Sequence, residues 1–235
     1  MYALAEPAAQ SSVAPIAMAR SSTSKVTLPA FMRYCFDEVD TLKAETAEAV
    51  AYSAEHGILF YQAIAAIYHG WTLVKTGSEQ SGVAQMRAGI EGMRATGAEV
   101  LMPAFYVLLA DGLACTGAFD EAHEFVERSV ITGQRGGERN VESDAWRLKG
   151  ALLLAQPHPD PAGAAEAFKT SIAIAREQES LAWELRGATG LAQLWSNQGL
   201  TSEAHNLLLP ICMKFAGEPD VPILRRARSM IAQLG

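Results

Sequence analysis

The sequence has little that would staple it, anchor it in a membrane or draw it to nucleic acid. Its three cysteines, Cys35, Cys115 and Cys212, are isolated, odd in number and never spaced as C-x-x-C. That pattern argues against a disulfide framework and a zinc knuckle, and it suits a reducing cytoplasm. No run approaches the roughly 18 uninterrupted apolar residues that a membrane span needs. The N-terminal stretch has no basic start followed by an apolar core, since Glu6 comes first and Pro7 and Pro15 break it, so neither export nor a membrane anchor is expected. A formal charge of -7 repels phosphate backbones, and no direct nucleic-acid partner is expected. The local exception is Arg225, Arg226 and Arg228, which we expect to complement the negative end of the last helix dipole.

Catalytic signatures are equally scarce. No G-x-x-x-x-G-K-[ST] loop is present to cradle phosphates, and no G-x-S-x-G elbow to expose a nucleophilic serine. The histidines His56, His69, His123, His158 and His205 never stand four apart on one helix face or cluster as metal ligands do. Glu121 with Glu124, and Glu142 with Asp144, could pair carboxylates for acid–base work, but solvated helix faces are the commoner reading. A non-enzyme without cofactor or metal is expected.

What is present is helix-forming sequence. Hydrophobic residues make up 49% of the chain and charged ones 19%, as in a globular protein. Ala, Leu, Glu, Gln and Met abound where runs of Val, Ile and Thr would favour strands. Residues 1–30, rich in Ala, Ser and Pro and without period, read as a flexible tail. From about Tyr34 the pattern turns helical and is broken at Gly57, Gly77, Gly97, Gly117, Gly136/Gly137, Pro157, Gly199 and Gly217. These breaks predict a repeat domain over 31–235, with hairpins near 58–97, 98–136, 139–179 and 180–217 and a terminal helix over 219–234.

The hairpins superpose. A small residue recurs at Gly70, Ala110, Gly150 and Ala192, with spacings of 110−70=40, 150−110=40 and 192−150=42 residues. Large apolar residues follow at Leu73, Leu113, Leu153 and Trp195, and breakers at Gly77, Gly117, Pro157 and Gly199. In the second helices, Gly82, Ala122, Ala164 and Ala204 precede Met86, Val126, Phe168 and Leu208. Small side chains let two helices approach, and the large residue on the same face fills the groove beside them. The fold class expected is all-α, a solenoid of about four hairpins with flanking helices.

The columns Tyr106-x-x-Leu109-Ala110-x-x-Leu113 and Gly117-Ala118-Phe119-Asp120-Glu121-Ala122, with Gly199-Leu200-Thr201-Ser202-Glu203-Ala204, resemble the tetratricopeptide (TPR) signature. The unit of about 40 residues is longer than the common 34. The segments from Trp146 to Leu153, Ala173 to Gln178 and Glu184 to Gly199 are similar to the C-terminal repeats of bacterial signalling ATPases, in which an adenylate-cyclase-like or DNA-binding, LuxR-type domain precedes the ATPase. Gly187, Gly190 and the tail after Phe215 depart from that pattern, and the resemblance covers only the repeats. A first helix from about Asp37 to Glu55 reads as the second member of a hairpin whose first member is absent, leaving an uncapped apolar end open to self-association.

The resemblance implies a right-handed superhelical solenoid whose first helices line a concave surface. It puts Trp71, Asp111, Ala151 and Gln193 in one column there, with Lys75 and Asn197 beside it and Asp144, Arg147 and Arg186 one or two turns earlier. Trp146 and Trp195 fall in core columns, whereas Trp71 follows the small position and faces the groove. A protein or peptide segment on this face is the implied partner. The implied role is regulatory and non-catalytic. A small-molecule-sensing repeat domain, or a fragment of a larger ATPase or cyclase, is the alternative.

Overall fold

The computed structural model describes residues 27–235, so most of the expected tail lies outside the described residues. Its last part does not: residues 28–30 open a helix, because Pro29 at the first helical turn has φ already set and no N–H to leave unsatisfied. Among the described residues the chain forms eleven α-helices and no strand. They are α1 Leu28–Cys35, α2 Val39–Glu55, α3 Leu59–Lys75, α4 Glu79–Ala95, α5 Met102–Cys115, α6 Phe119–Gly136, α7 Glu142–Ala155, α8 Pro161–Glu177, α9 Leu181–Asn197, α10 Thr201–Met213 and α11 Pro222–Leu234.

One turn chemistry closes several of the hairpins. After α3, Gly77 takes φ +87°, and the Ser78 N–H reaches back five residues to the Leu73 carbonyl at 2.9 Å. This six-to-one bond satisfies a carbonyl that the helix end would leave orphaned. The same bond recurs from Ala118 to Leu113 and from Leu200 to Trp195. After α8 the left-handed residue is Glu179 rather than a glycine, with the bond running from Ser180 to Ala175. At Pro157 the turn is built differently: the Asp160 N–H bonds the Leu153 carbonyl, and the Asp160 carboxylate caps α8 through the Gly163 N–H at 2.9 Å.

The small-residue columns meet in space. A Cβ on Gly82 would lie 2.4 Å from the Gly70 carbonyl oxygen, so α3 and α4 touch backbone to backbone. A Cβ on Gly150 would lie 2.9 Å from the Phe168 ring, which also fills the space beside Gly190. Paired helices α3/α4, α5/α6, α7/α8 and α9/α10 therefore stack as hairpins, and their first members α3, α5, α7 and α9 contact one another in a row. The apolar interior forms one core that runs from α1 to α7 and takes in Ala175 of α8 and Trp183 of α9, and a second from α8 to α11.

The N-terminal end departs from expectation. Helix α2 is preceded by α1, which packs on it, so a first partner helix is present although short. The outward positions of α2 include Asp40, Thr41, Glu48 and Glu55, and the other exposed residues between them are alanines. No large apolar side chain of α2 is exposed, so this helix carries the polar outer surface that terminal repeats carry. The apolar face expected on α2 is absent, and the large apolar side chains exposed near this end are Leu28 and Met32 of α1 and Leu59 of α3.

Candidate functional site

The row of first helices projects charged and aromatic side chains toward one another, and α1 lies against them. From α3, Trp71 donates its indole N–H to Asp111 Oδ2 of α5 at 2.7 Å. One turn on, Lys75 reaches the same oxygen at 2.6 Å and stands 5.4 Å over the Trp71 ring. Burial alone would push the Asp111 carboxyl up, but Lys75, Arg147 and the Trp71 hydrogen bond outweigh it and bring it down to about 2.

Helix α7 supplies Asp144, whose side chain is 0% exposed. Its carboxylate accepts from Arg147 Nε on the next turn and from the Tyr34 hydroxyl of α1, with Arg186 Nε of α9 at 3.5 Å. Against the cost of burial, the two guanidinium groups hold Asp144 below the usual carboxylate range. The Tyr34 hydroxyl is pushed well above its ordinary value, first by burial and then by Asp144. The Tyr34 ring meets Trp71 edge-on at 5.1 Å and Trp183 at 5.8 Å, while Arg186 stacks over both Tyr34 and Trp183. Arg186 Nη1 also donates to the Tyr34 carbonyl at 2.8 Å, so a cation closes the C-terminal end of α1.

Two hollows, of ≈ 270 and ≈ 250 Å³, share Asp37, Arg147, Arg186 and Arg226. Arg226 of α11 bonds Asp37 at 2.9 Å. Arg147 Nη2 is buried and has no hydrogen-bond partner among the described residues. No helix among those residues is long and apolar enough to cross a membrane.

A Podosopora anserina crystal structure described as a kinesin light chain with nearly identical TPR-like repeats superposes on this architecture. The TM-score is 0.51 at 17% identity, covering 93% of this chain and 97% of that one. A second crystal structure from the same organism, of a variant with the same description, gives 0.53 at 18% identity over 86% and 96%. The fold is a TPR-like repeat solenoid. At such identities the likeness is one of fold. No family model matches the chain, and no curated protein does.

In this TPR-like frame, six of the nine residues assigned to the groove stand together, Trp71, Lys75, Asp111, Asp144, Arg147 and Arg186, and Ala151 lines the adjoining hollow. Most of them are not an open surface, because Tyr34 of α1 packs on Trp71, Asp144 and Arg186 and Trp71 is 0% exposed, whereas Lys75 stays exposed. Gln193 and Asn197 remain exposed one turn apart on α9, outside that covered cluster, with the Gln193 amide donating to Asn197 at 3.0 Å. The tryptophans divide differently from expectation. Trp71 and Trp183 are buried, while Trp146 and Trp195 are only half-buried, and Lys149 lies over the Trp146 ring.

Two further readings are corrected. Glu142 and Asp144 are buried rather than solvated, Glu142 being held by Arg139 and Gln134. Arg225, Arg226 and Arg228 sit in the first half of α11, not at its negative end, and bond Asp220 and Asp37. Sequence reasoning missed Tyr34 as a site residue. The signal available was the spacing of Ala30, Phe31, Tyr34 and Cys35 after Pro29, an apolar stripe at helical period.

Proposed function

We propose that this chain is a non-catalytic interaction module that holds a segment of another protein along its row of first helices. The observation that supports this reading is α1 itself. A short helix lies on that row, anchored by one aromatic side chain and closed at its C-terminal end by Arg186, which is how a groove holds an amphipathic segment. The groove chemistry is thus suited to helical segments with an aromatic anchor. The part not covered by α1, around Gln193 and Asn197 of α9, is where a partner segment would lie beside it. The role is regulatory and cytoplasmic, in keeping with the resemblance of the Trp146–Leu153 and Glu184–Gly199 stretches to repeats of signalling ATPases.

The test is affinity capture from the native host with the full chain as bait, compared with a Gln193→Arg/Asn197→Arg double variant. Both positions are exposed, so the variant is expected to keep its helicity. A protein retained by the parent and lost with the variant supports the assignment. Capture that ignores the two substitutions, or no retained protein, counts against it.

A further inference from the structure

We propose that the hollow between α7, α9 and α11 is a binding site for a small free organic oxyanion. Its carboxylate or phosphate head would be held by Arg147, Arg186 and Arg226. The acceptors and donors in this region do not balance. Asp144 is engaged by Tyr34, by Arg147 Nε and by Arg186, and Asp111 by Trp71 and Lys75. Arg147 Nη2 is left without an acceptor among the described residues, although it is buried and its side chain lines both hollows. A buried N–H pair of a charged guanidinium without an acceptor is unfavourable, and an oxyanion would satisfy it with a short charge-assisted bond.

The neighbouring cations are arranged for the same oxyanion. Arg186 is immobilised by its bond to the Tyr34 carbonyl and by stacking on two rings, so its fork is set before any ligand arrives. Arg226 is 65% exposed and, among the described residues, bonds the Asp37 carboxylate at 2.9 Å. Asp37 thus shows that a carboxylate fits against this guanidinium, and it competes with a free anion for it. Three arginines gather here in a chain whose formal charge is -7, so the cationic hollow is local and not a reflection of net charge. Beyond them the wall turns apolar at Ala151, Ile223 and Met230, which suits a short hydrocarbon body behind the charged head. A volume of ≈ 250 Å³ lies just below the range of about 300–1,000 Å³ for small-molecule sites, so the anion is compact.

This inference does not rest on the segment-binding reading, and an empty capture experiment leaves it standing. The test is calorimetric titration of the full chain with inorganic phosphate and with phenyl phosphate at constant ionic strength, chloride serving as the reference. Saturable binding is expected, tighter for phenyl phosphate. Arg226→Gln should weaken it by on the order of tenfold, the worth of one charge-assisted hydrogen bond. Asp37→Asn should tighten it several-fold by freeing Arg226, and asparagine tolerates the left-handed backbone at this position, where φ is +62°. Both positions lie at the rim, and circular dichroism checks that the variants remain folded. Phosphate also stabilises proteins by exclusion, without saturating, so saturation and opposite responses of the two variants are the criteria. No saturable heat with either compound, or equal affinity in parent and both variants, overturns the proposal.

Discussion

At the scale of single residues, the site is a set of paired charges, most of them covered, that the repeats bring together. Asp111 shows what this means for stability. Its carboxyl lies at about 2 in the folded chain against a usual 3.8, so the ionised form stabilises the fold above the higher value and that contribution is lost as pH falls through the lower one. Asp144 and Glu184 are shifted in the same direction; against the burial of Glu184, Arg176 and Lys214 favour its ionised form. Stability should therefore fall steeply between about pH 5 and pH 2. In Asp111→Asn this fall should be smaller by on the order of 2 kcal/mol. Urea midpoints measured across that range check the prediction, and an unchanged slope in the variant would contradict the role of Asp111. The sequence offered Asp111, Asp144, Arg147 and Arg186 as residues of one face, because each sits at a repeat position. It did not show them to be paired and covered, since the helix that covers them is not a repeat.

At the scale of elements, the contact between α3 and α4 depends on two glycines with no room for a methyl group. Gly82→Ala would set a carbon 2.4 Å from the Gly70 carbonyl, and backbone cannot step aside as a flexible side chain can. A loss of about 2 kcal/mol or more is expected from overpacking. Gly136 makes the comparison: it ends α6 with nothing within 4 Å of an added Cβ, so Gly136→Ala should leave stability unchanged or raise it by about 0.5–1 kcal/mol. Thermal melts of the two variants decide the point, and equal values would mean that α3 and α4 are not in close contact. The columns at Gly70, Ala110, Gly150 and Gly82, Ala122, Ala164 were legible because one packing rule is written several times at nearly constant spacing. Trp146 was assigned to the interior by the same logic and is half-buried instead. A repeat column constrains side-chain size more tightly than exposure at the margin of a helix face.

At the scale of the whole molecule, α1 changes the character of the array. In a simple repeat solenoid each unit touches only its neighbours, and stability is a sum of local terms. Here Tyr34 reaches Trp71 of α3, Asp144 of α7, 110 residues away, and Trp183 of α9, while Arg226 of α11 returns to Asp37 across 189 residues. These ties join the first and last hairpins. The intact chain should consequently unfold in urea as one transition, with tryptophan fluorescence and helicity changing together. Tyr34→Ala should split it into two. A parent that is already biphasic, or a variant that stays single, would show that α1 does not couple the ends. The apolar stripe of α1 marks a helix in the sequence, but it matches no repeat column, so the columns could not reveal where that helix docks.

The strap also sets an order of events during synthesis. Helix α1 leaves the ribosome before α9, and Arg186, which closes its C-terminal end, follows 152 residues later. At about 5–20 residues per second, the docking face of α1 waits on the order of 8–30 s for its last partner. Closure of the strap therefore waits for α9, and any nascent chain stopped before α9 carries Phe31 and Tyr34 without the Trp183 surface that receives them.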